Sequence, residues 1–192
     1  RYQPRSRGLG DVYKRQLLEG LGMGRIKRLR IGNKVLGIKI MVMKPVFTWG
    51  FSSFAWKWDL EQFKKGEYWN IRHYPFFDFD TTRLERVRWF IVDYKDFFPD
   101  YAILKTSAGY HLIGLEPLYW RTIVDLMLRA LNYGLDTMFF RICVLRGFAV
   151  LRYGSKGKKP KPRLIECSNM YLWNRFIKSR AKFLVMYETT NW

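Results

Sequence analysis

Residues 74–80 end in an alternation of aromatic and acidic side chains over 77–80, and this alternation leaves little freedom in how the segment can fold. Successive side chains of a strand point to opposite faces of its sheet. Phe77 and Phe79 would therefore share one face, while Asp78 and Asp80 would share the other, about 7 Å apart. The segment predicts a strand with one buried aromatic face and one acidic face that remains open.

The rest of the chain predicts an α+β fold with a largely antiparallel sheet. Period-two spacing of apolar residues indicates strands over 35–43, 101–106, 110–115, 148–153 and 162–167. Helical spacing indicates a short helix with Asp59 as its N-cap, a helix over 81–98 capped by Thr81 or Thr82, and a helix over 118–133 ending at Gly134. The two strands over 101–115 form a hairpin, with Ser107 at its tip and His111 close by.

Charge indicates the kind of partner. The chain has 35 Lys and Arg residues against 16 Asp and Glu, a formal charge of +19. A polyanion is the expected partner, with nucleic acid ahead of an anionic membrane surface. No apolar run reaches the ~18 residues that cross a bilayer, so no membrane partner is expected. Cys143 and Cys167 are too few for a disulfide framework or a structural zinc site, which predicts a reduced, cytoplasmic setting without zinc.

Two groups of residues could carry chemistry. Asp78 and Asp80 would repel each other unless a divalent cation lay between them, and carboxylate oxygens suit hard cations. One solvated Asp and one helix-capping Asp would explain the pair equally well. The turn after residue 106 offers backbone N–H groups, the Ser107 hydroxyl and the His111 imidazole to phosphate oxygens. A single His in an apolar strand is more often structural.

A run of cations follows the strand predicted over 148–153. Residues 152–163 contain six cations and no acid: Arg152, Lys156, Lys158, Lys159, Lys161 and Arg163. Together with Lys105, they are interpreted either as a solvated basic surface or as counter-charges for a triphosphate and a nucleic-acid backbone.

The order of these motifs carries more information than any one of them. Asp78 and Asp80 end an apolar strand, Ser107 and His111 follow with three residues between them, Leu135 precedes Asp136, and residues 152–156 read Arg-Tyr-Gly-Ser-Lys. This order resembles the signature of the archaeo-eukaryotic primase superfamily over about residues 76–158. The resemblance implies an RRM-like catalytic core with a mostly antiparallel sheet and flanking helices, over about 70–168, beside a small N-terminal α/β unit.

The same resemblance implies a DNA primase or primase-polymerase that performs template-directed nucleotidyl transfer with two Mg²⁺ or Mn²⁺ ions. The implied roles are catalysis and metal binding by Asp78, Asp80 and Asp136, nucleotide binding by Ser107, His111, Arg152 and Lys156, and nucleic-acid binding by Lys105, Lys158, Lys159, Lys161 and Arg163. Asp136 is preferred to Asp125 as third carboxylate because Asp125 falls in the middle of a predicted helix. Expected partners are nucleoside triphosphates, single-stranded DNA and a helicase, in plasmid or virus replication.

Two other functions remain open. Residues 78–82 also fit the opening motif of haloacid-dehalogenase-type phosphatases, with Asp78 as nucleophile and Asp80 as general acid. That fold is usually all-parallel and needs a later pair of Asp residues, and no Asp-Asp pair occurs downstream. A non-catalytic nucleic-acid-binding module would explain the charge and the aromatic residues but not the acidic face.

The first residues of the chain are not expected to belong to the fold. Residues 6–16 resemble the translation of a sequencing-library transposon adaptor, because residues 11–16 back-translate into the transposon end without a mismatch. Residues 1–16 are therefore interpreted as a non-native tail. They hold five cations and one acid, so +15 of the +19 remains without them. Residues 17–192 are expected to form a single catalytic domain that is part of a longer protein.

Overall fold

The computed structural model describes residues 25–31, 34–40, 45–66, 71–155, 159–180 and 183–190. The chain divides into two compact units, Arg1–Lys44 with Thr190–Trp192, and Pro45–Thr189. In the first unit, strands β1 (Arg25–Ile31) and β2 (Lys34–Ile40) pair in antiparallel orientation. The strand predicted over 35–43 is thus confirmed as far as Ile40. The adaptor-like tail lies outside the described residues.

The second unit combines helices with antiparallel sheets. Its described elements are β3 (Pro45–Ser52), α1 (Lys57–Lys64), β4 (Arg72–His73), β5 (Phe76–Phe79), α2 (Leu84–Asp93), β6 (Tyr101–Lys105), β7 (Tyr110–Gly114), β8 (Leu118–Tyr119), α3 (Trp120–Ala130), α4 (Thr137–Arg146), β9 (Val150–Arg152), β10 (Arg163–Cys167), α5 (Met170–Arg180) and β11 (Leu184–Thr190). Every strand pairing whose register is described is antiparallel. The predicted α+β class is confirmed.

The main sheet has the strand order β10-β6-β7-β5. Because β7 lies between β5 and β6, these three strands and helix α2 form a split β-α-β arrangement. Strand β5, which carries the acidic residues, lies at the edge of this sheet. A second sheet has the order β11-β3-β9, and β4 pairs with β8.

The alternation in β5 produces the two predicted faces. Phe77 and Phe79 are fully buried, and their rings lie 5.4 and 5.7 Å from the ring of Phe90 in α2. On the other face Asp78 is half-buried and Asp80 is exposed. Phe76 shares that second face but is buried, with its ring 6.1 Å from Phe176 of α5. Only the C-terminal end of this face is therefore acidic.

Three helix ends were predicted, and one is confirmed. Gly134, at φ +97°, follows a short 3₁₀ helix after α3, as expected for a C-cap. The N-cap of α2 is Arg83, because Thr81 accepts the Arg83 N–H in a turn that precedes the helix. Asp59 is the third residue of α1, where its carboxylate accepts the N–H of the N-cap residue, Trp56.

The C-terminal part is more regular than its sequence indicates. The strands predicted over 148–153 and 162–167 are present as β9 and β10, but they belong to different sheets. Residues 169–192, for which no element was predicted, contain α5 and β11. No helix in the described part of the chain is both long and apolar enough to cross a bilayer.

Candidate functional site

Asp78, Asp80 and Asp136 are neighbours because two chain segments pair at the edge of β5. The Asp136 N–H donates to the Asp78 carbonyl at 2.8 Å, and the Asp80 N–H donates to the Gly134 carbonyl at 2.9 Å. A β-bridge joins Phe79 to the intervening residue, Leu135. Backbone pairing thus delivers the third predicted carboxylate to the acidic pair.

Asp136 is also the N-cap of α4. Its Oδ1 accepts the N–H groups of Met138 at 2.7 Å and Phe139 at 3.3 Å, while Oδ2 accepts no described hydrogen bond. Asp125 instead lies exposed on α3, paired with Arg129 at 3.0 Å. The preference for Asp136 over Asp125 agrees with this placement.

Asp78 lies in an environment that disfavours its charge. Burial, followed by repulsion from Asp136 and Asp80, raises the pKa of Asp78 to about 7. The charges of Arg152 and Lys159 oppose this shift but do not cancel it. Since 35 % of the Asp78 side chain is still exposed, a solvent-borne cation can reach it.

His111 lies opposite Asp78 on β7. Its Nε2 atom is 3.6 Å from Asp78 Oδ1, which is a contact rather than a hydrogen bond. Burial, assisted by the nearby Arg152 charge, lowers the pKa of His111 to about 3, so the imidazole is neutral near pH 7. Its buried Nδ1 atom has no hydrogen-bond partner among the described residues.

The hairpin turn packs against the end of β5. A Cβ atom at Gly109 would lie 1.9 Å from the Phe79 carbonyl oxygen, so only glycine fits this position. Ser107 is exposed at the tip, as predicted. The turn was expected to offer free N–H groups to phosphate, and this is wrong for Ala108 and Gly109. Both of their N–H groups donate to Thr106 Oγ1.

Arg152 adds a positive charge to the site and contacts two backbone carbonyls that follow it in the chain. One of its guanidinium nitrogens donates to the carbonyls of Gly154 at 3.0 Å and Pro160 at 2.7 Å. Its positive charge lowers the pKa of both Asp78 and His111. Lys159 acts on Asp78 in the same direction.

Lys105 and Arg163, two of the other predicted cations, are not at this edge. The Lys105 ammonium lies 4.0 Å from the Tyr110 ring, and because Tyr110 precedes His111, the strand pleat places Lys105 on the opposite face from Asp78. Arg163 is exposed at the start of β10, three strands and about 14 Å from β5, and Lys161 is exposed two residues before that strand begins. Lys156 and Lys158 lie outside the described residues.

The carboxylates fit a hard divalent cation by their chemistry. All three offer oxygen donors, and an ion would relieve the repulsion that raises the Asp78 pKa. Within the described ranges, however, no group of three or more His, Cys, Asp or Glu side chains is already arranged to hold an ion. Backbone pairing sets the positions of Asp78, Asp80 and Asp136 without closing their side chains together.

The pairing of residues 134–136 with 78–80 is the feature that sequence reasoning missed. A glycine C-cap followed two residues later by an Asp N-cap is a detectable signal for a sharp helix-to-helix connection.

No family model, curated protein or solved structure matches the chain.

Proposed function

We propose that this chain is a metal-dependent nucleotidyltransferase of the primase-polymerase kind, which makes or extends a strand on a DNA template. The observation that carries the proposal is the meeting of Asp78, Asp80 and Asp136 at one sheet edge. Neutral His111 and the cation Arg152 lie beside them. Its partners would be single-stranded DNA, nucleoside triphosphates and a replicative helicase in the cytoplasm.

This reaction requires positioning and charge neutralisation more than a general base. Asp78, Asp80 and Asp136 would hold two Mg²⁺ or Mn²⁺ ions, which when bound lower the pKa of the attacking 3′-hydroxyl and neutralise the pyrophosphate leaving group. Arg152 supplies positive charge for the triphosphate. His111 supplies an uncharged imidazole next to Asp78 and adds no competing charge.

The fold supports an RRM-like core more than the phosphatase alternative. The β5-α2-β6 unit with β7 inserted is the split β-α-β arrangement of such cores. Its antiparallel pairings disfavour a phosphatase with a parallel sheet. An activity measurement distinguishes the proposed enzyme from the alternative of a non-catalytic binding module.

That measurement is strand synthesis on single-stranded DNA with Mn²⁺. Asp78→Asn and Asp80→Asn should each lose at least about 100-fold in product, because the reaction depends on ion binding. Asp136→Asn preserves an N-capping side chain and should lose activity without losing the fold. Asp125→Asn is the matched control and should leave activity unchanged.

Equal synthesis by the parent and Asp78→Asn would refute the assignment. Phosphate release from a phosphomonoester, abolished in Asp78→Asn, would support the phosphatase. Template binding by a parent that makes no product with either metal would support the binding module.

A further inference from the structure

An exposed stack of two aromatic rings and one cation lies near the start of β5, away from the carboxylates. The guanidinium carbon of Arg72 is 5.9 Å from the ring centroid of Trp56 and 5.2 Å from that of Tyr119. Trp56 is 50 % exposed and Tyr119 is 43 % exposed, although both are large and partly apolar. We call these three residues the Trp56–Arg72–Tyr119 cluster.

The backbone holds this cluster in place before any ligand arrives. The buried Asp59 carboxylate accepts the Trp56 N–H with Oδ2 and the Arg72 N–H with Oδ1, both at 2.9 Å. Arg72 and Tyr119 are directly paired across β4 and β8. Such preorganisation lowers the entropy cost of binding.

A cleft of about 200 Å³ adjoins the cluster, and Trp56, a member of the cluster, also lines the cleft. Tyr74, Pro117 and Phe176 are among its largely apolar lining residues, and Arg175 and Glu116 are its charged ones. The cleft is smaller than the ~300–1,000 Å³ typical of pockets for drug-sized ligands. Its size and lining suit one flat ring.

We propose that the Trp56–Arg72–Tyr119 cluster and this cleft bind single-stranded nucleic acid by stacking its bases. Aromatic rings and the arginine plane stack on any base, so such a site tolerates many sequences. Neither Arg72 nor Arg175 forms an ion pair with a described carboxylate, which leaves both charges for phosphates. The excess of 35 cations over 16 acids in the chain favours a polyanion over a neutral or basic peptide.

This site is separate from the carboxylates. Tyr74 in the cleft precedes Asp78 by four residues of extended chain, about 13 Å. Base stacking needs no metal, so the inference goes beyond the proposed transfer reaction and does not rest on it.

The test is fluorescence anisotropy of a labelled oligothymidylate with the full chain, in the presence of EDTA so that no metal-dependent reaction occurs. Trp56→Ala should weaken binding about tenfold, because a stacked base contributes that much or more. Tyr119→Leu, which keeps the apolar bulk at an exposed position, should also weaken it several-fold. Trp56→Phe should retain most of the affinity.

Trp58→Ala is the matched control. Trp58 is 60 % exposed and lies two residues from Trp56, but it is not against Arg72 in the part of the chain that the structure describes. This variant should bind within about twofold of the parent. An abasic oligomer of equal length should bind the parent and Trp56→Ala alike, since phosphate contacts remain.

The proposal fails if Trp56→Ala and Tyr119→Leu bind oligothymidylate as tightly as Trp58→Ala does. It also fails if Trp56→Ala loses equal affinity for the abasic oligomer, or if the parent binds a duplex as tightly as the single strand. Binding by stacking without any strand synthesis would refute the proposed function and leave this inference intact.

Discussion

Two polar regions of the larger unit differ in how well their buried polar groups are paired. Near the end of β3, the buried guanidinium of Arg180 donates to the carbonyls of Ser52, Phe54 and Ala55. At the edge of β5, Asp78 lies among other carboxylates with its pKa raised, and His111 Nδ1 has no described partner. The first region stabilises the fold, whereas the second is left electrostatically unfavourable. Such local inconsistency is typical of a functional site.

The Arg180 region should show the largest loss of stability. Arg180→Met keeps much of the side-chain volume against the rings of Tyr74, Phe176 and Phe183 but leaves three carbonyls without their donor. Each buried carbonyl left without a donor costs roughly 1–3 kcal/mol, so we expect the free energy of unfolding to fall by roughly 3–5 kcal/mol in urea titrations. Lys178→Met, on an exposed position of the same helix, should change it by less than about 0.5 kcal/mol. Similar values for the two variants would contradict a structural role.

The next largest effect is that of His73 on the free energy of unfolding at low pH. Burial lowers the pKa of His73 to about 3, although its Nδ1 atom is 2.8 Å from Ser53 Oγ. Between pH 6.5 and pH 3 the unfolded chain binds a proton at His73 that the folded chain does not. His73 therefore makes the free energy of unfolding fall by about 1.4 kcal/mol per pH unit as the pH decreases through that window.

The comparison with His73→Gln isolates this effect. Below pH 6.5, the slope of its free energy of unfolding against pH should be smaller than that of the parent. The difference should equal the contribution of one bound proton. The difference is used because Asp78, with its raised pKa, contributes in the opposite sense between pH 7 and pH 3.8. Parallel curves for parent and variant would show that His73 is not buried as a neutral group.

The smallest effect has the opposite sign. Asp78→Asn removes a charge that its surroundings disfavour, so the variant should be more stable than the parent. Because about a third of the side chain is exposed, water screens the repulsion and the gain should be of the order of 1 kcal/mol. The gain should be complete above pH 7 and should disappear as the pH falls from 7 toward 3.8, because the folded parent protonates Asp78 in that range. Urea titrations at pH 8 and pH 4.5 measure it, and a loss of stability at pH 8 would contradict the idea.

Local patterns predicted the parts of the fold that depend on neighbouring residues. The alternation of Phe77, Asp78, Phe79 and Asp80 predicted both the strand and its faces, and Gly134 marked a helix end. The pairing that brings Asp136 to Asp78 could not be predicted, because it joins distant segments through backbone groups that every residue has. Arg180 was missed because a charged residue is normally assigned to solvent, and its partners are carbonyls rather than an acid.

The cap formed by Asp136 has a consequence for how the site communicates with the rest of the molecule. The same carboxylate holds the first amides of α4, at Met138 and Phe139, and lies beside Asp78. Any ligand that binds Asp136 therefore changes how often that first turn opens, and any fraying of the turn changes the affinity for the ligand by the same free energy. Amide hydrogen exchange at two helical positions thus reports on the occupancy of the acidic edge.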